Sequence, residues 1–380
     1  MFLLTKDLNT KTKKANKMPE EIKCIEHFPT TLETYVEGPL LLTAFSRTEY
    51  PKIEEPLADK EEIPIPLATF EKGVFTCVNR GAKFSRLIEM GIKSYVTQDL
   101  MTRAPVIEAK DLEQALDISD YTERNSEELR SIAESTTRFG KVTSIKTYRV
   151  GNDVYVRLAM QCGDASGHNM TTKAATKLAK YLVEKFTGTR YGSDSGNLCT
   201  DKKAAAINAI TGRGKTVITE IIIPREICEN NLKTTPELLH RLNVAKNLQG
   251  TIAAGSQFSG NAHYANIVAA MYIATGQDIA NTVEGSYGIT QIKVTDNGDL
   301  YYTTTMPCLI VGTIGNGKDG ESQKRCLEMM KCNVEGRQLG YNSQRLAAII
   351  GAATALGELS LLADQTKSGR LIQAHERFER

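Results

Sequence analysis

The chain has 380 residues, of which 41% are hydrophobic and 24% are charged, and this composition indicates a globular protein of two or three domains. The formal net charge of +2 excludes a strong overall field that would draw the chain to nucleic acid or to a membrane surface. The eight cysteines contain no C-x-x-C pair, so we expect reduced thiols in a cytoplasmic protein and no metal site.

Residues 1–60 are polar, rich in lysine at the start and interrupted by proline, with one short apolar piece, GPLLLTAF. We predict an N-terminal arm and helical segment here, without a secretory signal or a membrane anchor. The following stretch, IPIPLATFEKGVFTCVNRGAKFSRLIEMG, predicts an extended piece that runs into a helix after Asn79.

Residues 105–193 have the pattern of a small α+β unit. Helical spacing marks DLEQALDISDYTERNSEELRSIAESTTRF, alternating apolar residues flank a Gly-Asn turn in TSIKTYRVGNDVYVRLAMQC, and residues 169–186 predict an amphipathic helix. We therefore predict that residues 105–193 form a small domain inserted into a larger α+β domain, which consists of residues 61–104 and 194–380.

The rest of the chain mixes strands and helices. KTVITEIII predicts a strand, TPELLHRLNVAKNLQG and NAHYANIVAAMYIATGQD predict helices, and a β-meander follows through CLIVGT. The apolar segment 345–363 has the length of a membrane span, but Arg345, Glu358 and two glycines favour a helix packed inside the protein or at a subunit interface.

Two glycine-rich motifs look like nucleotide-binding loops. GRGKT at 212–216 lacks the first glycine of a phosphate-binding loop, because position 209 is alanine. GNGKDG at 315–320 matches G-x-G-x-x-G, but it lies near the end of the meander, and no second βα unit completes a Rossmann fold. We predict a glycine turn, and such a turn can still approach a ligand.

SGNLCTDKKAAAINAITGRGK, residues 195–215, places Asp201 directly against Lys202 and Lys203 in a small, uncharged stretch. Lysines on a solvated surface are usually dispersed along the sequence, and a surface that binds nucleic acid usually carries a longer series of them. We therefore expect a site that holds a negatively charged substrate or stabilises an oxyanion.

Together with this cluster, a series of polar blocks resembles the HMG-CoA reductase family. The blocks MTRAP, STTRF, GDASGHNM, SGNLCTDKKAAAIN, NAHYANIVAA, GQD and GELSLLA follow the order and spacing of that family over residues 60–380. STTRF and the terminal helix look closer to class I, the branch of eukaryotes and archaea, than to bacterial class II. The resemblance is to the catalytic portion, without the membrane anchor of the eukaryotic enzymes.

The resemblance implies a two-step, four-electron reduction of the HMG-CoA thioester to mevalonate with two NADPH and release of CoA. Lys202 would stabilise the oxyanion of the tetrahedral intermediate. Glu71 would supply a proton to the carbonyl oxygen, with Asp278 between the lysine and the glutamate. His375 would protonate the departing CoA thiolate.

The resemblance also assigns binding residues. For the acyl substrate these are Arg103, Ser195, Asp201, Lys203, Lys246 and Asn266. For CoA they are Asn79, Arg80, Lys83 and Lys233. For the nicotinamide cofactor, NADPH in preference to NADH, they are Thr137, Arg138, Phe139, Asp164, Asn169 and Arg380, on a small ferredoxin-like domain that is not a Rossmann fold. Family members are dimers or dimers of dimers, with the active site at the interface.

This sequence departs from the family pattern in the loop GDASGHNM, where Ser166 and His168 replace residues that are usually apolar, methionine or alanine in the case of His168. Glu379 would oppose the phosphate of NADPH. Two other interpretations remain open at this point. One is a catalytically inactive protein that binds CoA or phosphate, and the other is a different NAD(P)-dependent oxidoreductase with a Rossmann site at 315–320.

Overall fold

The computed structural model of the chain describes residues 34–256, 258–370, 372–373 and 376. Three residues of the sequence analysis, His375, Glu379 and Arg380, lie outside the described residues.

Strands make up one mixed sheet. In the described part of the chain it has eleven strands, and they are β1 (Thr34–Ser46), β2 (Ala58–Ala68), β3 (Ile92–Arg103), β4 (Val106–Glu108), β5 (Lys141–Val150), β6 (Asp153–Gln161), β7 (Arg190–Ser193), β8 (Gly214–Ile223), β9 (Ser259–Gly260), β10 (Gly288–Val294) and β11 (Leu300–Leu309).

The helices lie between and after these strands. They are α1 (Lys72–Ser85), α2 (Leu112–Arg124), α3 (Ser126–Glu134), α4 (His168–Lys185), α5 (Ala206–Thr211), α6 (Arg225–Ile227), α7 (Pro236–Asn243), α8 (Thr251–Ala253), α9 (Tyr264–Ala274), α10 (Thr282–Gly285), α11 (Glu321–Met329) and α12 (Tyr341–Gln365). Two π-helical segments, Cys228–Leu232 and Val244–Gly250, and a 3₁₀ turn, Ile279–Asn281, complete the helical structure of the described residues.

Strand β3 connects the two parts of the sheet. Its first half pairs in parallel with β1 and antiparallel with β8, and β8 continues the larger part through β11 and β10 to β9. Its last residues pair antiparallel with β6, which carries β5 and β4 in the smaller part. The mixed sheet with its helices confirms the predicted α+β class.

Two local predictions differ from the structure. Residues 34–60 are not an irregular arm, because β1 pairs with both β2 and β3, and Leu40 and Leu42 are fully buried in the main core. The helix predicted after Asn79 begins earlier, at Lys72. The predicted domain boundaries at 61–104, 105–193 and 194–380 stay a prediction.

Helix α12 is the centre of the larger core, as the apolar segment 345–363 predicts. It packs on α1, α9, β3 and β8. It is long and apolar enough to cross a membrane, but 94% of its apolar window is buried inside the protein, which is the pattern of a core helix. Gly81 of α1 is required at this contact, because a Cβ there would lie 2.3 Å from the Leu356 carbonyl oxygen.

The smaller part of the sheet is covered by α2, α3 and α4, which enclose two further apolar clusters. The predicted hairpin is present as β5 and β6, which turn at Gly151 with φ of +61°.

The hexamer at 315–320 forms a turn after β11, a strand whose neighbours β8 and β10 are both antiparallel to it. A Rossmann site needs a parallel βαβ unit, so the prediction of a glycine turn holds.

Candidate active site

The segment before Lys202 has an unusual backbone. Asn197, Thr200 and Lys202 all have positive φ, at 62°, 53° and 58°, a conformation that costs free energy for residues with a side chain. Neighbouring hydrogen bonds hold it in place. The side chains of Thr200 and Asn208 bond to each other, and the Asn208 amide also donates to the Thr200 carbonyl oxygen over 3.2 Å. The segment therefore presents Lys202 from a fixed loop.

Lys202 and Asp278 form an ion pair, with 2.9 Å between Nζ and Oδ2. Both side chains are 42% exposed, so the pair is open to a ligand. The hydrogen bond that Lys202 donates to Asp278 raises the pKa of Lys202. Burial acts to raise the pKa of Asp278, but the bond from Lys202 and the amide of Ala280 outweigh it and lower that pKa. The lysine is therefore a cation held in a fixed position by Asp278.

A buried charged network lies directly behind this pair. Arg213 is fully buried, and its guanidinium donates to Asp201 over 2.6 Å and to Glu284 over 3.3 Å. Glu284 is also fully buried, and it accepts the backbone amide of Lys202 over 2.9 Å. The Asn281 amide donates to both carboxylates. Asp201 and Lys202 are thus fixed from behind by Arg213 and Glu284.

Arg103 joins the same cluster at the end of β3. One of its guanidinium nitrogens lies 3.7 Å from Asp201 Oδ2, and the same nitrogen lies 3.8 Å from the sulfur of Cys199. Ser195 contacts Cys199 as well, with 3.2 Å between Oγ and Sγ. Lys203 is exposed, and its ammonium donates to the Asp201 carbonyl oxygen. Four of the predicted substrate-binding residues are therefore brought together here.

Glu71 and Asn266 form a second group. Asn266, in the first turn of α9, donates to Glu71 Oε2 over 2.9 Å. The start of this helix is fixed by the fully buried Glu358 of α12, which accepts the backbone amides of Ala262 and His263 over 2.7 and 3.0 Å.

The two groups lie at opposite ends of α9. Asn266 is eight residues from Ala274, which is about 12 Å of helix. Gln277 still bonds to Tyr272 at the C-terminal end, and Asp278 follows it. Asp278 is therefore far from Glu71 within one chain. The two carboxylates that are predicted to act together are not in contact in a single chain.

Three of the predicted CoA residues, Asn79, Arg80 and Lys83, lie on α1, and Lys233 follows the π-helical segment Cys228–Leu232. Arg80 is already engaged, because it donates to both carboxylate oxygens of Asp364 over 2.7 Å. Lys83 and Lys233 are exposed, and Asn79 is half-buried. Lys246, predicted to bind the acyl substrate, is exposed in the π-helical segment Val244–Gly250.

The predicted cofactor residues fall into two places. In STTRF, the Arg138 guanidinium lies 5.3 Å from the ring centre of Phe139, and both are exposed, while the Thr137 hydroxyl accepts the amides of Phe139 and Gly140. An exposed arginine beside a hydroxyl-rich turn fits a phosphate group. In the second place, Asn169 is exposed, but Asp164 accepts the amides of Gly340 and Ser343 and so anchors the start of α12.

Comparison with known proteins identifies the family. The sequence profile described as hydroxymethylglutaryl-coenzyme A reductase matches residues 53–380. The 3-hydroxy-3-methylglutaryl-coenzyme A reductase of Pyrococcus horikoshii is 45% identical over 323 residues, which are 84% of this chain and 77% of that protein. The chain belongs to the HMG-CoA reductase family. It is therefore an oxidoreductase that acts on HMG-CoA, as the sequence predicts.

The relatives also confirm the predicted branch of the HMG-CoA reductase family. Besides the archaeal protein, reductase 1 of Arabidopsis thaliana is 39% identical over 330 residues, which are 85% of this chain and 55% of the plant protein. Among solved structures, the class II reductase of Streptococcus pneumoniae, bound to NADPH in open conformations, has a TM-score of 0.68 at 15% identity over 89% of this chain and 77% of that one. At this identity the likeness supports the fold alone.

Some residues of this reductase site were missed from the sequence. Arg213 lies in the false phosphate-loop motif GRGKT, and Glu284 follows GQD by six residues without any motif of its own. The sequence offers only a general signal, because a charged side chain that becomes buried is usually paired with an opposite charge.

Proposed function

We propose that this chain reduces HMG-CoA to mevalonate at the cluster around Lys202, using two molecules of NADPH. The observation that carries the proposal is the half-exposed Lys202–Asp278 pair on a loop with a fixed backbone. A cation that is already oriented stabilises the oxyanion that develops on the acyl oxygen without reorganising during the reaction. Asp278 keeps this lysine protonated.

The neighbouring side chains bind the free end of the acyl group. Arg103, Lys203 and Ser195 donate to its carboxylate and hydroxyl oxygens. Burial acts to raise the pKa of Asp201, but the surrounding positive charges, that of Arg213 above all, outweigh it and lower this pKa, so Asp201 stays ionised. It thus holds the cations at the distance that the substrate needs.

Proton delivery is assigned to the second group. Glu71, oriented by Asn266, gives a proton to the acyl oxygen. His375 protonates the CoA thiolate, and Asn79, Arg80, Lys83 and Lys233 hold the CoA. These roles rest on the family resemblance together with the position of Glu71 at the start of α1.

NADPH, when bound, supplies the hydrides. Arg138, Thr137 and Phe139 hold its phosphate end, and the exposed guanidinium supports this assignment. Asn169, at the start of α4, contacts the cofactor nearer its reactive end. Asp164 contributes through the loop that it anchors to α12.

The complete site forms between two chains. Within one chain Glu71 and Asp278 are separated by the length of α9, so a partner chain supplies one of them. Large apolar side chains are exposed beside both residues: Phe70 is 85% exposed, and Ile279 and Val283 are 48% and 45% exposed. Such side chains are suited to an interface. We assign the chain to a dimer, or a dimer of dimers, in the cytoplasm.

Two measurements test the proposal. The first is HMG-CoA-dependent oxidation of NADPH by the purified protein, and no oxidation would refute the function. The second is co-expression of Glu71→Gln with Asp278→Asn. Each variant alone is expected to be inactive, but a mixed dimer has one intact site, so activity should recover to roughly a quarter of wild type. Recovery would be absent if each chain carried a complete site.

A further inference from the structure

His168 belongs to the loop GDASGHNM, and its side chain faces Asp201 of the substrate cluster. It is the first residue of α4, and its Nε2 atom is 3.7 Å from Asp201 Oδ1. Its other ring nitrogen, Nδ1, is 3.4 Å from the hydroxyl of Ser166. Ser166 and His168 are the two residues that replace apolar side chains of the family loop. The imidazole therefore places a polar group where the family usually has an apolar one.

The backbone that carries His168 is closely packed. Gly167 has φ of +91°, and a Cβ there would lie 2.5 Å from the sulfur of Cys162. On the other side, a Cβ on Gly312 would lie 2.3 Å from the Ser166 amide, and Ala165 forms a β-bridge with Ile314. The imidazole therefore projects toward Asp201 from a position that leaves the loop little freedom to move.

The charge of this imidazole follows from its surroundings. Burial and the guanidinium of Arg213, with a smaller effect from Arg103, lower the pKa of His168 to about 4, against the opposite effects of Asp201 and Asp278. His168 is therefore neutral at pH 7 and carries one ring proton. The ionised Asp201 favours that proton on Nε2, and the Ser166 hydroxyl then donates to Nδ1.

This arrangement leaves a buried donor without an acceptor. Among the residues that the structure describes, Nε2 has no hydrogen-bond partner although it is inaccessible to solvent. The 3.7 Å to Asp201 is too long for a hydrogen bond. A buried donor left unpaired costs free energy. A substrate oxygen would remove this cost if it took the place beside Nε2 when the partly exposed side chains of Asp201 and Arg103 rearrange to bind the substrate.

We propose that His168 is a specificity-determining residue, which donates from Nε2 to an oxygen at the carboxylate and hydroxyl end of the acyl substrate. The inference rests on the proposed function, since Asp201 and Arg103 must hold the same end of that substrate. It adds a neutral donor to a set of cations. A neutral donor selects an oxygen by position rather than by charge, so it distinguishes acyl groups that carry an oxygen at this point from those that do not.

The test compares three variants in steady-state kinetics with HMG-CoA and NADPH. His168→Met removes the donor and keeps an apolar residue that the family loop accommodates. His168→Gln keeps an N–H at the reach of Nε2, and His168→Asn carries the same amide one methylene short. Loss of one hydrogen bond predicts a KM for HMG-CoA that rises roughly ten-fold in the Met and Asn variants. The Gln variant should stay within about three-fold of wild type, with kcat and the KM for NADPH little changed in all three.

A second readout uses free 3-hydroxy-3-methylglutarate, which has the same carboxylate and hydroxyl but no CoA. Its inhibition constant should rise in the Met and Asn variants and recover in the Gln variant. The proposal is overturned if the Met variant binds this acid as wild type does, if Gln and Asn behave alike, or if the KM for NADPH changes instead. Thermal unfolding identifies any variant that fails to fold. If the Met variant fails to fold, the comparison of His168→Gln with His168→Asn tests the proposal. Inactive wild-type protein would instead refute the proposed function.

Discussion

The substitution Glu284→Gln tests whether the buried network sets the position of Lys202. The side chain keeps its volume and one carbonyl oxygen but loses the charge that faces Arg213 at 3.3 Å. Burial raises the pKa of Glu284, and the hydrogen bond from the Lys202 amide and the charge of Arg213 act against that rise.

The size of the effect follows from what remains in the buried site. Breaking a buried ion pair costs about 3–5 kcal/mol. Because Arg213 keeps its 2.6 Å contact with Asp201, we expect about 3 kcal/mol of lost stability, the lower end of that range. Lys202, whose backbone is at φ of 58°, loses the charged acceptor of its amide. A displacement of about 1 Å in a catalytic group costs up to about 10²-fold in rate, so kcat should fall by roughly 10- to 100-fold.

Two assays check this prediction: urea unfolding at pH 7 and steady-state reduction of HMG-CoA. The matched control is Glu237→Gln, which removes an exposed carboxylate paired with Arg225. Both assays should give wild-type values for this control. A wild-type kcat in Glu284→Gln, or a loss of stability without any loss of kcat in the folded fraction, would show that the buried network does not set the position of Lys202.

Four more outcomes are expected. Lys202→Ala should lower turnover by roughly 10²-fold or more while substrate binding weakens less, and near-normal turnover would contradict the oxyanion role. His375→Gln should impair reduction of HMG-CoA but spare reduction of free mevaldehyde, which releases no thiolate; equal losses would argue for another role. Asp201 has a lowered pKa, so its contribution to stability is present above pH about 4 and lost as the pH falls through its folded-state pKa. Asp201→Asn should thus be less stable than wild type at pH 7, with the difference shrinking at acid pH in a pH series of unfolding curves. Arg138→Ala should reduce the preference for NADPH over NADH in kcat/KM, and an unchanged preference would remove Arg138 from the phosphate site.

Features that depend on neighbouring residues could be predicted from the sequence. The β5–β6 hairpin follows from alternation around Gly151 and Asn152, and the burial of α12 follows from its nearly continuous apolar composition. The cluster of Asp201, Lys202 and Lys203 is contiguous in the chain, so its charge was visible before any folding. The blocks around it were sufficient to identify the family.

The start of α1 is a case in which packing overrides local propensity. Val74, Phe75, Thr76 and Val78 favour an extended chain, yet they form a helix because Val74, Val78, Gly81 and Ala82 lie on the face that packs against α12. The sequence alone does not reveal that partner, which lies more than 250 residues away. For the same reason the sequence around GPLLLTAF indicates an arm, although in the fold this segment forms β1 and pairs with β3.

The sequence by itself therefore determined the family and the elements with strong local patterns, and it predicted the catalytic and binding groups of the site. Only the tertiary structure decided how those groups are held. Arg213 and Glu284 are 71 residues apart in the chain, and they pair behind Lys202 only because the fold brings the residue before β8 next to α10. Likewise, α9 keeps Glu71 and Asp278 apart. The order of motifs along the sequence does not give this distance, because the distance between two side chains is set by the packed elements between them.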